Sequence, residues 1–524
     1  MRMTNKIMQN NSLYNINQNK FLQDKLSTQM STQKELTRPS DDPVVAIRAL
    51  RLRSTVSELT QFYKKNAPDA DAWLKVTSDG LGTVTDILTD LSKNANKGAN
   101  KDLTADDLDI IVTNMKSLTE EFYSTGNLDY AGRYVFSGFR TDTPMEFTAA
   151  DVANKKNPIP SYTITQQIGI EEFDSSEYTF LGNLNGINAT NISDASHYEE
   201  ETNISNTSVH RLRLAYDDLD SAAGGSVAIK LFKDGTEKAT ELACTEADRE
   251  TAYTNLLSDN ESTPPVVSGY YIKETGELLL SNAAYEKLEN DSKSDTGLEF
   301  RVEYTKSEWA NGDLRPEHYF ACKSKDSLGK VITYNEDYLD KSFSDKTRQT
   351  IAYDVGYNQT IDVNTTADEV FTHSLNRDMD DLSNALSDFK NISNIKNDIE
   401  LAIKACDDPD ELKKLNDQLA AADKAYTYIR ETIHDMMGSM IKKSQSYLDA
   451  TNVAVTDNGT RMSRLELISN RLMEQQTTFR TLQSENEDVD ISEVAISLTS
   501  AELTYNSSLM ATGKIMQTSL MNYL

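Results

Sequence analysis

The 524-residue chain reads as an α+β protein: an antiparallel helical rod, coiled-coil-like and built from both chain ends, with a β-rich domain inserted between them. Three observations predict this. Apolar residues toward both ends recur at steps of three and four, which keeps them on one side of an α-helix. From about residue 140 to 370 that period gives way to alternation, and six of the ten prolines and twelve of the 21 glycines fall there. After residue 371 the helical spacing returns.

The tail carries the clearest pattern. Leu465, Ile468, Leu472, Phe479 and Leu482 form one stripe, and Ile491, Val494, Leu498, Ala501 and Tyr505 continue it at steps of three, four, three and four. No proline follows Pro409, and only Gly438, Gly459 and Gly513 interrupt the last 115 residues. Such a helix needs a partner to cover its stripe, and the expected partner is the opposite end of the chain. There Ile7, Tyr14 and Phe21 recur every seven residues, with Leu22 and Leu26 beside them. Eight of the first 19 residues are Asn or Gln, and Asn is a poor helix former. Residues 1–36 are therefore expected to be disordered in the free chain and to fold only against a partner. Five basic and two acidic side chains in that segment face a tail with little charge, so the ends attract weakly.

The run Thr37-Arg38-Pro39-Ser40-Asp41-Asp42-Pro43 breaks the first helix, and Asp42 is placed to cap a second one that starts at Pro43. That helix carries Val44, Ile47, Leu50 and Val56, with Arg48, Arg51 and Arg53 nearby. A third holds Trp73, Leu74, Leu81, Val84, Ile87, Leu88 and Leu91. A fourth runs from about Ala105 to Tyr123. In the middle, Leu298 to Tyr304 alternates apolar and polar residues, as a half-buried strand does. Lys233-Asp234-Gly235-Thr236 and Glu274-Thr275-Gly276-Glu277 are hairpin-turn signals. Leu375, Met379, Leu382, Leu386, Phe389 and Ile392 then restore the helical period.

Composition narrows the function. A formal net charge of −30 repels nucleic acid and anionic membranes as main partners, and no apolar run approaches the roughly 20 residues of a membrane span. Cys244, Cys322 and Cys406 have neither metal-ligand nor disulfide spacing. The histidines (His197, His210, His318, His373 and His434) are isolated, and no phosphate loop, dinucleotide fingerprint or nucleophile elbow occurs. The sequence therefore names no catalytic residue, cofactor or metal. One charge constellation stands out: Arg48, Arg51 and Arg53 set against Glu485, Glu487, Asp488 and Asp490. It reads either as solvated surface charge or as a salt-bridged joint between the terminal segments, of a kind that sets register more than stability.

Together these residues resemble the flagellin superfamily, and within it the hook–filament junction proteins. The resemblance rests on Met1-Arg2-Met3-Thr4-Asn5-Lys6, on Thr37 to Val44 continuing through Arg48 to Ser54, and on Gly132-Arg133-Tyr134-Val135-Phe136-Ser137-Gly138. At the other end it rests on Asn458 through Leu472, Asn486 to Ile491, and Ser519 to Leu524. The sequence departs at Gln33, where the family usually has glycine, and over residues 141–370, to which the resemblance does not extend. The resemblance implies a non-enzymatic structural subunit of the extracellular bacterial flagellum, exported unfolded. It implies self-association in a ring or helical lattice, and as partners the second hook-associated junction protein, flagellin and an export chaperone. The expected domains are 1–42 with 484–524 (terminal helical inner tube), 43–140 with 372–483 (helical rod) and 141–371 (outer β-rich domain, one or two subdomains). Two alternatives stay open: a filament flagellin, and a surface subunit whose insert binds or cleaves a ligand such as a glycan.

Overall fold

The computed structural model describes residues 5–517 apart from 37, 101–102, 157, 193, 223, 234, 296 and 340–348. The opening Met1–Thr4, Thr37 and the ending Ser519–Leu524, all part of the resemblance, lie outside the described residues, as does Asp234 of the first turn signal. Four helices come first: α1 (Asn5–Thr32), α2 (Pro43–Gln61), α3 (Ala67–Gly98) and α4 (Ala105–Thr125). A hairpin, β1 (Asp129–Tyr130) and β2 (Arg133–Tyr134), and the single turn α5 (Ala149–Val152) lead to β3 (Ser161–Ile168), β4 (Phe173–Phe180), β5 (Ser205–Arg213), β6 (Ser226–Lys233) and β7 (Thr236–Glu246). Next come α6 (Arg249–Glu261), β8 (Gly269–Ile272), β9 (Glu277–Leu280), α7 (Asn282–Ser294), β10 (Leu298–Lys306), β11 (Ala321–Lys325) and β12 (Val331–Tyr334). The chain closes with β13 (Ala352–Gly356), β14 (Gln359–Asp362), the turn α8 (Ala367–Val370), α9 (His373–Ala405), α10 (Pro409–Glu487) and α11 (Ile491–Gln517).

Contacts divide the chain into two compact units, one of residues 1–71, 353–361 and 463–524, the other of 72–352 and 362–462. In the first, α2 starts as its sequence dictates. Asp42 accepts hydrogen bonds from the Val44 and Val45 amides at 2.9 and 3.2 Å, and Pro43 occupies the first helical position, where its missing N–H costs nothing. The buried side of α2 is Ala49 and Leu59, while Val44, Ile47 and Leu50 face outward. The hairpin β13–β14, which lies in the span read as the outer domain, packs with the helical ends. Tyr353 donates its hydroxyl to Asp69 at 2.5 Å, and Asn66 donates to the Asp354 carbonyl at 2.7 Å.

The second unit joins helices to a ten-stranded sheet in the order β12-β11-β3-β10-β6-β7-β8-β9-β5-β4, antiparallel throughout except between β7 and β8. Both hairpin-turn signals fall between paired strands, β6 with β7 and β8 with β9. The alternation in β10 does not leave it half-buried. Arg301 and Glu299, on its polar side, are also buried and pair with each other at 2.9 Å, so a central strand is covered on both faces.

On the sheet, α6 places Ala252, Tyr253 and Leu256 against Val209, Ile272 and Leu279. Beneath it the helices run antiparallel in pairs. Lys390 of α9 reaches Asp109 of α4 at 2.7 Å, while Tyr123 at the far end of α4 donates to the Thr372 carbonyl at 2.6 Å. Lys396 of α9 likewise meets Asp423 of α10 at 2.7 Å. Phe136, in the Gly132–Gly138 segment, stacks edge-on against Phe371 at 5.0 Å, and Phe371 lies 5.1 Å from Phe122. Met437 and Met440 are core residues. His373 is buried beside the Tyr216 hydroxyl at 3.0 Å, and burial pushes its imidazole down to about 3.

Candidate functional site

The chain ends meet inside the first unit. Helices α1 and α11 pack on each other, and two separated contacts fix their sense. Asn19 donates to Ser508 at 2.9 Å, while Lys34 and Asp488 form an antiparallel β-bridge at the other end of the pair. The helices are therefore antiparallel. The bridge is held by the Glu35 amide on the Glu487 carbonyl at 2.8 Å and the Val489 amide on the Gln33 carbonyl at 3.2 Å. Gln33 enables it with a left-handed backbone, φ +58°, a conformation that side chains disfavour and glycine accepts freely.

Around the bridge sits a charge cluster. Arg53 of α2 grips Glu487 through two bonds of 2.7 Å each, Nε to Oε1 and Nη2 to Oε2, the fork geometry that makes arginine–carboxylate pairs strong. Lys34 Nζ lies 2.5 Å from Asp488 and 3.5 Å from Glu487. Asp488 also accepts from the Ser484 hydroxyl at 2.6 Å. The bond from Arg53 holds Glu487 below the ordinary glutamate range, and the bond from Lys34 holds Asp488 below the aspartate range. The same contacts raise Arg53 and Lys34.

Of the seven residues read as a joint, the structure brings together Arg53, Glu487 and Asp488. Arg48, Arg51 and Glu485 are exposed helix positions with no ion pair among the described residues. Asp490 instead caps α11, accepting from the Ser492 and Glu493 amides at 2.8 and 3.3 Å. Lys34 was missed, although as the last basic residue before the Thr37–Pro43 break it was the natural neighbour for the acids that precede α11.

The two apolar stripes divide their work. In α11, Val494 and Ala501 are buried at 4% and 6% exposure, and Leu498 and Tyr505 are half-buried, whereas Ile491 is exposed. In α1 the expected stripe turns outward: Ile7, Tyr14, Phe21 and Leu22 are exposed, Tyr14 and Phe21 at 64%, and only Leu26 is half-buried. Ile496, Leu503 and Met510 add to the outward apolar surface from α11. Among the described residues no cluster of His, Cys, Asp or Glu has a metal-binding arrangement, and no helix is long and apolar enough to cross a membrane.

Parts of the chain are similar to known proteins. The model of the bacterial flagellin N-terminal helical region matches residues 3–141. Flagellar hook-associated protein 3 of Salmonella typhimurium strain LT2 is 27% identical over 143 residues, 27% of this chain and 45% of that protein. Its namesake in Escherichia coli strain K12 is 26% identical over 263 residues, 50% of this chain and 74% of that protein. The match thus spans less than half the length of the Salmonella protein. The solved flagellar junction protein of Legionella pneumophila aligns over 80% of this chain and 99% of its own at 11% identity, but a TM-score of 0.25 is too low to bear on the fold. The leading helices of the chain are thus similar to the flagellin N-terminal helical region, and the two curated relatives it resembles are both named flagellar hook-associated protein 3.

Proposed function

We propose that this chain is a structural subunit of the bacterial flagellum that acts as the adaptor at the hook–filament junction. The observation that carries this reading is the antiparallel pairing of α1 with α11, which leaves Tyr14, Phe21, Ile496 and Leu503 uncovered on a helical pair. Apolar side chains at that density are a surface awaiting other subunits. In this reading residues 1–42 and 484–524 build an inner tube with neighbouring copies, 43–140 and 372–483 surround it as a coiled-coil-like rod, and 141–371 face outward. The ends order on assembly, because burial of the exposed stripes then offsets the entropy of fixing an Asn-rich segment.

The partners are further copies in a ring or helical lattice, the second hook-associated protein below, flagellin above, and an export chaperone that shields the stripes beforehand. The address is the extracellular flagellum, and the role is non-enzymatic. Deleting the gene tests the reading: cells should keep hooks, lose filaments and release flagellin monomers into the medium. Filaments of normal length in the deletion strain would overturn it. A sheared appendage made mostly of this chain would favour a filament flagellin instead.

A further inference from the structure

Strand β4 ends the ten-stranded sheet: it pairs with β5 on one side, and among the described residues no strand pairs with the other. That free side borders a cavity of about 1100 Å³ walled by β4, α6, α9 and α10, all within the second unit. Every residue from Asp174 to Gly182 lines it. Side chains of a strand alternate between two faces, so an unbroken run of lining residues means that the strand's edge, with its row of unpaired N–H and C=O groups, borders the space. An exposed edge of this kind is a template for another extended chain.

The walls say what that chain should look like. Tyr178, Phe180 and Leu257 offer apolar surface on one side, and Ala385 and Met436 on the other. The charge is one-sided. Nine carboxylates line the cavity against three cations, and the cations are already engaged: Arg211 by Asp174, Glu277 and Asp381, Arg249 by Asp388, Lys443 by Asp378. Glu177, Glu250 and Glu261 pair with no cation among the described residues, and Asp435 meets only His434.

We infer that this cleft binds an extended peptide with alternating basic and apolar residues, which adds to β4 as an eleventh strand. The eight residues of β4 give such a peptide a track of roughly 26 Å. Main-chain hydrogen bonds along the edge supply affinity and the free carboxylates select positive side chains. The inference does not draw on the α1–α11 pairing that carries the assembly reading, which lies in the other unit.

The test uses the full-length protein and a fluorescein-labelled, end-blocked octapeptide of alternating lysine and valine, followed by anisotropy. It should bind at least tenfold more tightly than the glutamate–valine peptide. It should also outbind by tenfold or more a lysine–valine peptide with all interior amides N-methylated, which keeps the charge but cannot form strand bonds. A Glu177→Lys, Asp435→Lys double variant should lose at least tenfold in affinity with an unchanged circular dichroism spectrum. Absence of binding, equal binding of the N-methylated peptide, or displacement by spermidine at equal charge concentration would overturn the proposal. Should the variant not fold, the comparison of peptides on the wild-type chain still decides.

Discussion

Arg53 and Glu487, 434 positions apart in sequence, face each other through two parallel hydrogen bonds of 2.7 Å. Glu487 is almost wholly buried while the Arg53 side chain is about half exposed, so losing the arginine strands a carboxylate more than it loses a surface contact. Arg53→Glu should therefore cost about 1–3 kcal/mol, and adding Glu487→Arg should restore at least half of it. Arg51→Glu, which breaks no ion pair, should fall within about 0.5 kcal/mol of wild type. A double-mutant cycle by urea unfolding reads all three.

The joint should open in acid. Glu487 and Asp488 have carboxyls held below their unfolded values by Arg53 and Lys34. Their contribution is complete above the unfolded range, roughly pH 4–4.5, and is lost as pH falls through the lower folded values. Protection of the Glu35 and Val489 amides against hydrogen exchange, corrected for intrinsic rate, should stay level from pH 7 to 5 and collapse toward pH 3. Constant protection down to pH 3 would contradict the assignment.

Glu146 behaves in the opposite sense. Burial pushes its carboxyl up to about 7, with the Asn127 amide 2.7 Å away pulling the other way. A carboxyl raised on folding favours the native state at low pH, and the advantage fades as pH climbs from its unfolded value through the folded one. Glu146→Gln keeps an acceptor for Asn127 without the charge. It should add about 1–3 kcal/mol at pH 8 and little at pH 4, as measured by denaturant midpoints at the two pH values.

Gln33 holds φ +58° in the turn that leads into the terminal bridge. Gln33→Gly removes the steric cost of that conformation, about 1 kcal/mol, partly offset by the greater freedom of glycine in the unfolded chain. Slower hydrogen exchange in α1 and α11 is the expected readout. Gln33→Val should do the reverse.

Gly276 has no such latitude. Its φ is +60°, and a Cβ there would sit 1.9 Å from the Tyr216 carbonyl oxygen, which belongs to rigid backbone. Gly276→Ala should destabilise the sheet by about 2 kcal/mol or more, visible as a lower thermal midpoint by near-ultraviolet circular dichroism. Gly235→Ala, with open space around it, should cost less.

Helical period, helix starts and hairpin turns were legible because they are local: Asp42 caps because Pro43 follows, and Gly276 turns because only glycine fits. The middle of the chain was legible as strands but not as an order, since nothing near Phe173–Phe180 announces a sheet edge. The direction of each stripe was not legible either. Ile7, Tyr14 and Phe21 have the spacing of a seam, but which side of α1 meets α11 depends on residues almost 500 positions away. In the charge cluster, sequence named the right neighbourhood and three arginines, of which only Arg53 pairs with Glu487. Arg48, Arg51 and Arg53 cannot be told apart by composition, and only the geometry of α2 beside the bridge selects Arg53.

The bridge between Lys34 and Asp488 encloses a loop of 454 positions. Drawing the ends of so long a flexible chain together costs roughly 5 kcal/mol by the logarithmic scaling of ring closure, more than the surrounding ion pairs can return. A polypeptide that has not yet folded its interior will therefore leave its extremities apart, as a thread with two loose strands. That open form lasts until the interior has folded, and only then can the clasp shut.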